Sequence, residues 1–429
     1  MDLITYAETL RRIEGLGRIR RTERVALGQA RGRVLAADIV AREELPPFDN
    51  TAVDGFAVRA ADLAGASRER PVRLRIGGAV FAGETMTADT AAAAAAVRIM
   101  TGAPVPAGFD AAVKIEDVAV ETADGGQILV CRAPVTKGAN LRWRGEDVTI
   151  GQRLVLAPRV VTSGVLTVAA GQGIGELDVL ARPVLRFVAT GDELVDDPSQ
   201  ALRPGQIRNT SLPFLLAEAD RLGLPAIREG LMADREDEAV VRVGGWLAAR
   251  PGRRLDDEHE PAAPEIVVST GAVSVGDKDF VPATLRRCGF ELVVHRLAVR
   301  PGKPVLIAGH AETATFWVGL PGNVLSTAAG FRFFVVPLVR SLFGLPSWPT
   351  RRKARLTTPF PKPAGLRFFA RGALRSADDG ALEFTPEDRQ ASGMSSALAG
   401  SDAYGMFPEA PALVPAGATI DVAGDDESL

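Results

Sequence analysis

Short apolar runs alternate with amphipathic stretches through the middle of the chain. Residues 183–189, residues 226–231 and Ile266-Val267-Val268 read as buried strands, with helices between them at residues 210–222 and after Asp234-Arg235-Glu236-Asp237. Ile266-Val267-Val268 runs straight into Ser269-Thr270-Gly271-Ala272-Val273-Ser274-Val275-Gly276-Asp277-Lys278-Asp279. Residues 280–287 then regain helical character, with Pro282 tolerated in the first turn and Gly289 as the stop. Further strands are expected at 291–299, 305–308 and 315–319, followed by an apolar helix that reaches residue 342. Strand and helix alternating in this way predict a doubly wound, mostly parallel sheet covered on both faces, an α/β domain over residues 183–345.

The flanks read differently. Residues 3–40 give an amphipathic helix, a helical piece at 27–31 and an extended run at 34–40; with residues 146–182 they form a discontinuous N-terminal scaffold domain, 1–44 together with 146–182. Between the two halves, 45–145 reads as a small β-rich domain, with strands at 72–76, 111–115 and 127–130, a helical turn at 91–96 and a rigid turn around Thr101-Gly102-Ala103-Pro104. Residues 251–264 form a charged, proline-bearing insertion, expected as a loose surface loop. Past Pro346 short β-like pieces with turn signals predict a C-terminal β domain, 346–429. The expected fold class is therefore multidomain α/β plus β.

Composition narrows the picture by exclusion. At 429 residues the chain exceeds one compact core. No uninterrupted apolar run approaches bilayer length, and the first ten residues, carrying Asp2 and Glu8, lack the basic start and apolar centre of a secretory signal. A soluble, cytoplasmic protein is expected. Cys131 and Cys288 have no Cys-x-x-Cys spacing, so neither a disulfide framework nor a thiolate metal site is implied. With 50 Lys and Arg against 53 Asp and Glu, the net charge of −3 provides no field that draws nucleic acid or anionic lipid. Three histidines, His259, His295 and His310, are too scattered for a zinc site or a Ser-His-Asp arrangement.

The candidate chemistry lies in the loops of the α/β domain. Ser269, Thr270 and Ser274 offer hydroxyls, and Gly271 and Gly276 offer open backbone N–H groups, where a strand ends and a helix begins; ligands of open α/β sheets bind there. Three further loops also combine glycine with polar or charged residues: Thr190-Gly191-Asp192-Glu193; Arg296 with Arg300-Pro301-Gly302-Lys303-Pro304; and Leu320-Pro321-Gly322-Asn323-Val324-Leu325-Ser326. Phosphate-like oxygens on backbone N–H groups, arginine and lysine for charge, and Glu193 with Asp277 or Asp279 for Mg²⁺ make a site that cleaves a phosphoanhydride by positioning and charge stabilisation. Arg142 and Arg144, flanking Trp143, read either as an anion clamp or as a solvated edge.

Taken together, several motifs resemble the molybdopterin molybdenumtransferase family, whose module also forms the C-terminal part of gephyrin. They are Pro46-Pro47-Phe48-Asp49-Asn50-Thr51-Ala52-Val53-Asp54-Gly55, Met100-Thr101-Gly102-Ala103, Arg144-Gly145-Glu146-Asp147, Thr190-Gly191-Asp192-Glu193-Leu194, Ser269 to Gly276, Arg300-Pro301-Gly302-Lys303-Pro304 and Leu320-Pro321-Gly322-Asn323, in the family's order and over essentially the whole chain. The resemblance implies an elongated four-part subunit with an N-terminal dimerisation domain and a barrel-like C-terminal domain. It implies a homodimer whose cleft lies between the α/β domain of one subunit and the C-terminal domain of the other, and contact with the molybdopterin adenylyltransferase. The reaction implied is insertion of molybdenum from molybdate into adenylated molybdopterin with loss of AMP, dependent on Mg²⁺.

Carried over by motif, Asp54, Glu193 and Asp279 are the catalytic acids and Glu193 and Asp279 the metal ligands. Thr101, Arg142, Arg144, Asp234, Ser269, Thr270, Gly271, Ser274, Gly276, Arg296, Arg300, Lys303, Pro321, Gly322, Asn323, Ser326, Arg371 and Ser392 are the substrate contacts. The chain departs from the family where Ala272 replaces a glycine, where Val324 replaces a proline, and where Arg296 and Arg300 replace lysines in some members. Two readings stand at this point: the molybdenum-inserting enzyme, and a pterin-binding or carrier paralogue without turnover.

Overall fold

The computed structural model describes residues 3–123, 125–250, 254–255, 257, 263–274, 279–348, 351–391 and 393–424. The chain packs as two compact units, one of residues 38–156 and 168–174, the other of residues 1–37, 157–167 and 175–429.

Helix α1 (Tyr6–Glu14) opens the larger unit, capped by Thr5, whose hydroxyl accepts the Glu8 N–H at 3.2 Å. It buries Tyr6, Thr9, Leu10 and Ile13, the single stripe that a 3.6-residue period predicts. Strand Thr22–Ala26, which the hydrophobic pattern did not announce, pairs antiparallel with Glu176–Leu180.

In the smaller unit, β1 (Gly55–Val58), β2 (Val72–Val80), β3 (Ala96–Ile99), β4 (Ala111–Lys114), β5 (Val118–Ala123) and β6 (Gly126–Cys131) form one six-stranded sheet in the order β4-β1-β3-β2-β6-β5. Helix α2 (Ala88–Ala93) covers only the first half of the alanine turn expected at 91–96; Ala94 is extended and Ala96 already opens β3. Only glycine can open β1: a Cβ on Gly55 would stand 1.9 Å from the Val113 carbonyl oxygen.

The α/β domain carries β7 (Val184–Thr190), α3 (Ser211–Arg221), β8 (Ala226–Met232), α4 (Glu236–Ala248), β9 (Glu265–Thr270), α5 (Val281–Arg287), β10 (Glu291–His295), β11 (Leu306–His310), β12 (Thr315–Leu320) and α6 (Val324–Leu342). Its sheet runs β8-β7-β9-β12-β11-β10. Pairs β8/β7, β7/β9 and β9/β12 are parallel, whereas β11 is antiparallel to both β12 and β10. Five strands thus share one direction and β11 alone runs back, in keeping with the expected mostly parallel sheet. A hairpin explains it: β11 and β12 are joined by a short turn through Ala311–Thr313, too short for the crossover that parallel strands need.

Alternate residues of the central strands face opposite cores. Phe187, Ile266, Val268 and Val318 pack with α3, α6 and α1, while Val188, Val267 and Trp317 pack with α4 and α5. Helix α6 is 19 residues long and apolar enough to cross a membrane by length and composition, but 94% of its most apolar window is buried within the fold. It is the core helix of the domain, with a π turn at Phe331–Val335. Tyr6 meets Phe333, Phe334, Trp348 and Phe369 edge to face at 5.1–6.2 Å, joining α1 to α6 and to the C-terminal domain.

Strands β13 (Arg352–Leu356), β14 (Arg367–Ser376), β15 (Leu382–Pro386), β16 (Ala403–Phe407) and β17 (Thr419–Gly424) close on themselves in the order β14-β15-β13-β17-β16, with β16 returning to β14. This is the expected barrel-like domain. Residues 251–253, 256 and 258–262 of the anticipated loop lie outside the described residues.

Candidate active site

The order β8-β7-β9 places a switch point at the centre of the sheet. From β7 the chain moves to one side to make β8, then crosses to the other side to make β9. The connections leaving the carboxyl ends of β7 and β9 therefore run to opposite sides, and ligands of such sheets bind in the crevice between them. There Gly271, at φ +92°, touches the other lip: a Cβ on it would stand 2.5 Å from Thr190 Oγ1 and 2.9 Å from the Thr190 carbonyl oxygen. The Thr190 hydroxyl donates to the Thr270 carbonyl at 3.1 Å, tying the two strand ends together. The Gly271 N–H donates to Leu320 O at 2.9 Å, and a Cβ on Gly322 would lie 3.7 Å from Gly271 Cα. Three glycine loops, after β7, β9 and β12, thus meet at backbone distance.

Charge surrounds this meeting point. Glu193 folds back so that its carboxylate lies over Gly191, where a Cβ would come within 2.6–2.8 Å of it. Asp234, at the end of β8, directs its N–H to Asp192 Oδ1 at 3.4 Å. Asp279 follows the β9 loop and is half-buried. Opposite in sign, Arg300 and Lys303 sit on the connection from β10 to β11, which lies at the same edge because His295, Leu306 and Gly319 are in register. Among the described residues neither cation has a carboxylate partner, and the Arg300 guanidinium lies 5.8 Å from the Phe368 ring of the barrel. No three His, Cys, Asp or Glu side chains among the described residues gather into a metal-holding group. Magnesium needs none, since it takes one or two carboxylates and fills its remaining positions with water and ligand oxygens. The hard oxygen donors Glu193 and Asp279 suit that ion.

Asp54 and Thr101 form a separate construction in the smaller unit. Thr101 donates its backbone N–H and its hydroxyl to Asp54 Oδ1 at 2.8 and 2.7 Å. These two bonds, the backbone one foremost, hold the exposed carboxyl below the usual carboxylate range, and Arg98 adds to the effect.

Other expected residues turn elsewhere. The Ser269 side chain is fully buried, and its hydroxyl accepts Trp317 Nε1–H at 2.9 Å. Alternation along β9 puts this position on the Trp317 face, so only its backbone stands at the loop. Thr270 and Ser326 are buried as well. Arg371 is 5% exposed; it donates to Ser401 O at 2.8 Å and lies 4.5 Å from the Tyr404 ring, a clamp within the barrel. Arg144 pairs with Glu44, which favours the solvated edge over the clamp, and Arg142 pairs through its backbone with Asn50. Pro321, Gly322 and Asn323 remain at the surface of the β12 loop, and Ser274 is exposed. Gly276, Asp277 and Ser392 lie outside the described residues. A hollow of about 910 Å³ lies at the opposite end of the sheet, beside Gly289, Gly309 and His310, and holds none of these motifs. Chemistry and topology outweigh volume here.

The chain is similar over its whole length to known proteins. Residues 4–173 match the MoeA N-terminal region (domain I and II), residues 186–341 the probable molybdopterin binding domain, and residues 353–423 the MoeA C-terminal region (domain IV). A molybdopterin molybdenumtransferase from Synechococcus elongatus is 36% identical over 406 residues, 93% of this chain and 94% of that one. The chain belongs to the molybdopterin molybdenumtransferase family. A relative with the same name from Bacillus subtilis is 33% identical over 98% of this chain and 93% of its own. The crystal structure of a molybdopterin biosynthesis MoeA protein from Pyrococcus horikoshii superposes with a TM-score of 0.77 at 25% identity, covering 98% of this chain and 99% of that one.

Within this family framework the departure at Ala272 acquires a physical meaning. Its φ is +53°, in the left-handed region that glycine enters without strain. Its N-terminal neighbour Gly271 bears the tight contact with Thr190, while the Ala272 methyl packs beside α5. The close approach therefore requires glycine at 271 and only tolerates alanine at 272. Arg296 opens the β10–β11 connection at φ +64°, its N–H donating to Val305 O at 3.2 Å and its carbonyl accepting the Ile4 N–H at 3.1 Å.

Proposed function

We propose that the protein inserts molybdenum from molybdate into adenylated molybdopterin and releases AMP, as a Mg²⁺-dependent transferase. The observation that carries this reading is the approach of Gly271 to Thr190 at the switch point, with Gly322 beside it. Loops packed this closely keep side chains off the mouth of the crevice, so backbone N–H groups other than that of Gly271, which is bonded to Leu320 O, can face phosphate oxygens. Arg300 and Lys303 would balance the charge of the oxyanions, and Glu193 and Asp279 would hold Mg²⁺. The ion, when bound, supplies charge neutralisation at the phosphate oxygens. The remaining loop N–H groups, held in place by the Gly271 and Gly322 contact, orient the anhydride, and no covalent nucleophile is required.

The same reading includes a homodimer in which the C-terminal domain of one subunit closes the cleft of the other. It also includes a handover contact with the molybdopterin adenylyltransferase, a cytoplasmic setting, and the four-part division at residues 45, 146, 183 and 346. Purified protein given adenylated molybdopterin, Mg²⁺ and molybdate should release AMP and form the metal cofactor. Tight binding without AMP release would instead identify a carrier. In Asp279→Ala, turnover should fall while the unfolding midpoint stays close to that of the parent; undiminished AMP release would refute the assignment of this acid.

A further inference from the structure

The turn between β10 and β11 is built into a second sheet. Val299 and Arg300 run parallel to Arg367 and Phe368 at the start of β14, residue for residue, and the Arg367 N–H donates to Ala298 O at 2.9 Å. Just before them in the chain, Leu297 bridges Ile4, the Ala298 N–H donates to Ile4 O at 2.8 Å, and the Leu297 N–H donates to Lys303 O at 2.8 Å. The backbone that carries Arg300 is therefore held by the N-terminal segment, by the turn's own return and by the barrel.

Paired positions of neighbouring strands point to one face of a sheet, so register makes Arg300 and Phe368 neighbours. The Arg300 guanidinium carbon stands 5.8 Å from the centre of the Phe368 ring, within the range in which an aromatic face attracts a cation. Phe368 is itself fixed: it is 5% exposed, and its ring meets Phe360 edge to face at 5.3 Å. Arg300, by contrast, is exposed. A long side chain free in solvent loses rotamer entropy when it binds a ligand, and restraint beforehand lowers that cost. A carboxylate would restrain the guanidinium but would also compete with an incoming oxyanion. A ring face restrains it and leaves its charge and its N–H donors available.

We propose that Phe368 is a positioning residue, whose ring holds the Arg300 guanidinium ready for the oxyanion, so that the barrel of a subunit sets the geometry of that same subunit's cationic turn. This rests on the assignment of Arg300 to the oxyanions under the proposed function. It gives the barrel a task distinct from closing the partner's cleft. Phe368 acts through Arg300 and is assigned no contact with substrate.

The test is a double-mutant cycle on the full chain. Phe368→Leu keeps an apolar side chain and removes the aromatic face, and Phe368→Tyr keeps the face. With Arg300 in place, Phe368→Leu should raise the KM for adenylated molybdopterin in AMP release by roughly 2–5-fold, the factor that an exposed cation–π contact supplies, with kcat nearly unchanged. Phe368→Tyr should restore the parent KM. In an Arg300→Gln background, Phe368→Leu should have no further effect on KM. Phe360→Leu, which trims the neighbouring ring of the same core, should leave KM at the parent value. An equal rise with and without Arg300, or the same rise in Phe360→Leu, would overturn the proposal and leave Phe368 a packing residue of the barrel. A second measurement needs neither turnover nor a folded Phe368 variant. In the ligand-free parent, the Arg300 Nε–H resonance, assigned as the signal that Arg300→Gln lacks, should be displaced by the ring from the position of exposed arginines. A resonance at that ordinary position would also overturn the proposal. A parent that releases no AMP would count against the proposed reaction, while this resonance still decides whether the ring holds Arg300.

Discussion

Thr101 closes its backbone N–H and its hydroxyl on the same oxygen of Asp54, at 2.8 and 2.7 Å. The folded state therefore favours the ionised acid, and its pKa lies below the ordinary value. A depressed carboxyl contributes stability that is present above its unfolded pKa and is lost as pH falls through the folded one. Thr101→Val removes the hydroxyl donor and leaves the N–H. The Asp54 midpoint, followed by carboxyl NMR, should move up while staying below the ordinary value; a midpoint that does not move would show the hydroxyl bond to be without effect.

Adjacent positions 271 and 272 should differ sharply in their sensitivity to the Cβ. Gly271→Ala forces a Cβ to within 2.5 Å of Thr190 Oγ1 at φ +92°, and should destabilise by about 2 kcal/mol or more in urea unfolding. In Ala272→Gly, relief of left-handed strain, roughly 1–2 kcal/mol, is offset by roughly 0.4–1 kcal/mol of added unfolded-state entropy and by the loss of a half-buried methyl. Its stability should stay within about 1 kcal/mol of the parent. A large loss would mean that the methyl packing dominates.

Glu193 lies over Gly191, so the two positions are coupled. Glu193→Gln should raise the Mg²⁺ concentration needed for half-maximal AMP release by roughly 10–100-fold with little change in stability, the range typical for weakened metal ligation. Gly191→Ala, whose Cβ would occupy the carboxylate's place, should share the metal defect. An unchanged Mg²⁺ dependence in Glu193→Gln would remove this acid from the metal site.

Tyr6 is fully buried among four aromatic rings, and its hydroxyl has no hydrogen-bond partner among the described residues. Burial also pushes its phenol pKa up. Tyr6→Phe retains the ring packing and removes a desolvated hydroxyl, so thermal and urea unfolding should show a gain of about 1 kcal/mol. Tyr6→Ala should cost roughly 3–5 kcal/mol. Destabilisation by Tyr6→Phe would reveal a hydrogen bond to that hydroxyl in solution.

Much of the α/β domain was legible because its strands are continuous apolar runs that end in glycine. The bounds of α3 follow from the period of its apolar face, and the end of α6 from the length of its apolar run. Thr22–Ala26 was not legible: four of its five residues are exposed, and its partner lies about 150 residues away in the chain, so neither pattern nor locality marks it. Ser269 looked like a ligand because of its hydroxyl; only the pairing of β9 with β12 shows that the hydroxyl belongs to Trp317. Ala272 was legible as a question, and its φ of +53° supplies the answer.

The reversed strand β11 has a consequence for how such sites are assembled. A sheet whose strands all run one way can offer its carboxyl edge only the turns by which the chain leaves. By coming back once, this chain also presents an entering turn at that edge, and that turn carries Arg300 and Lys303. Acidic and basic parts thus arrive on separate strokes of the backbone. Under the proposed function, substitutions in the β10–β11 turn change anion affinity while the outgoing loops keep their geometry, so the two halves of the proposed site vary independently.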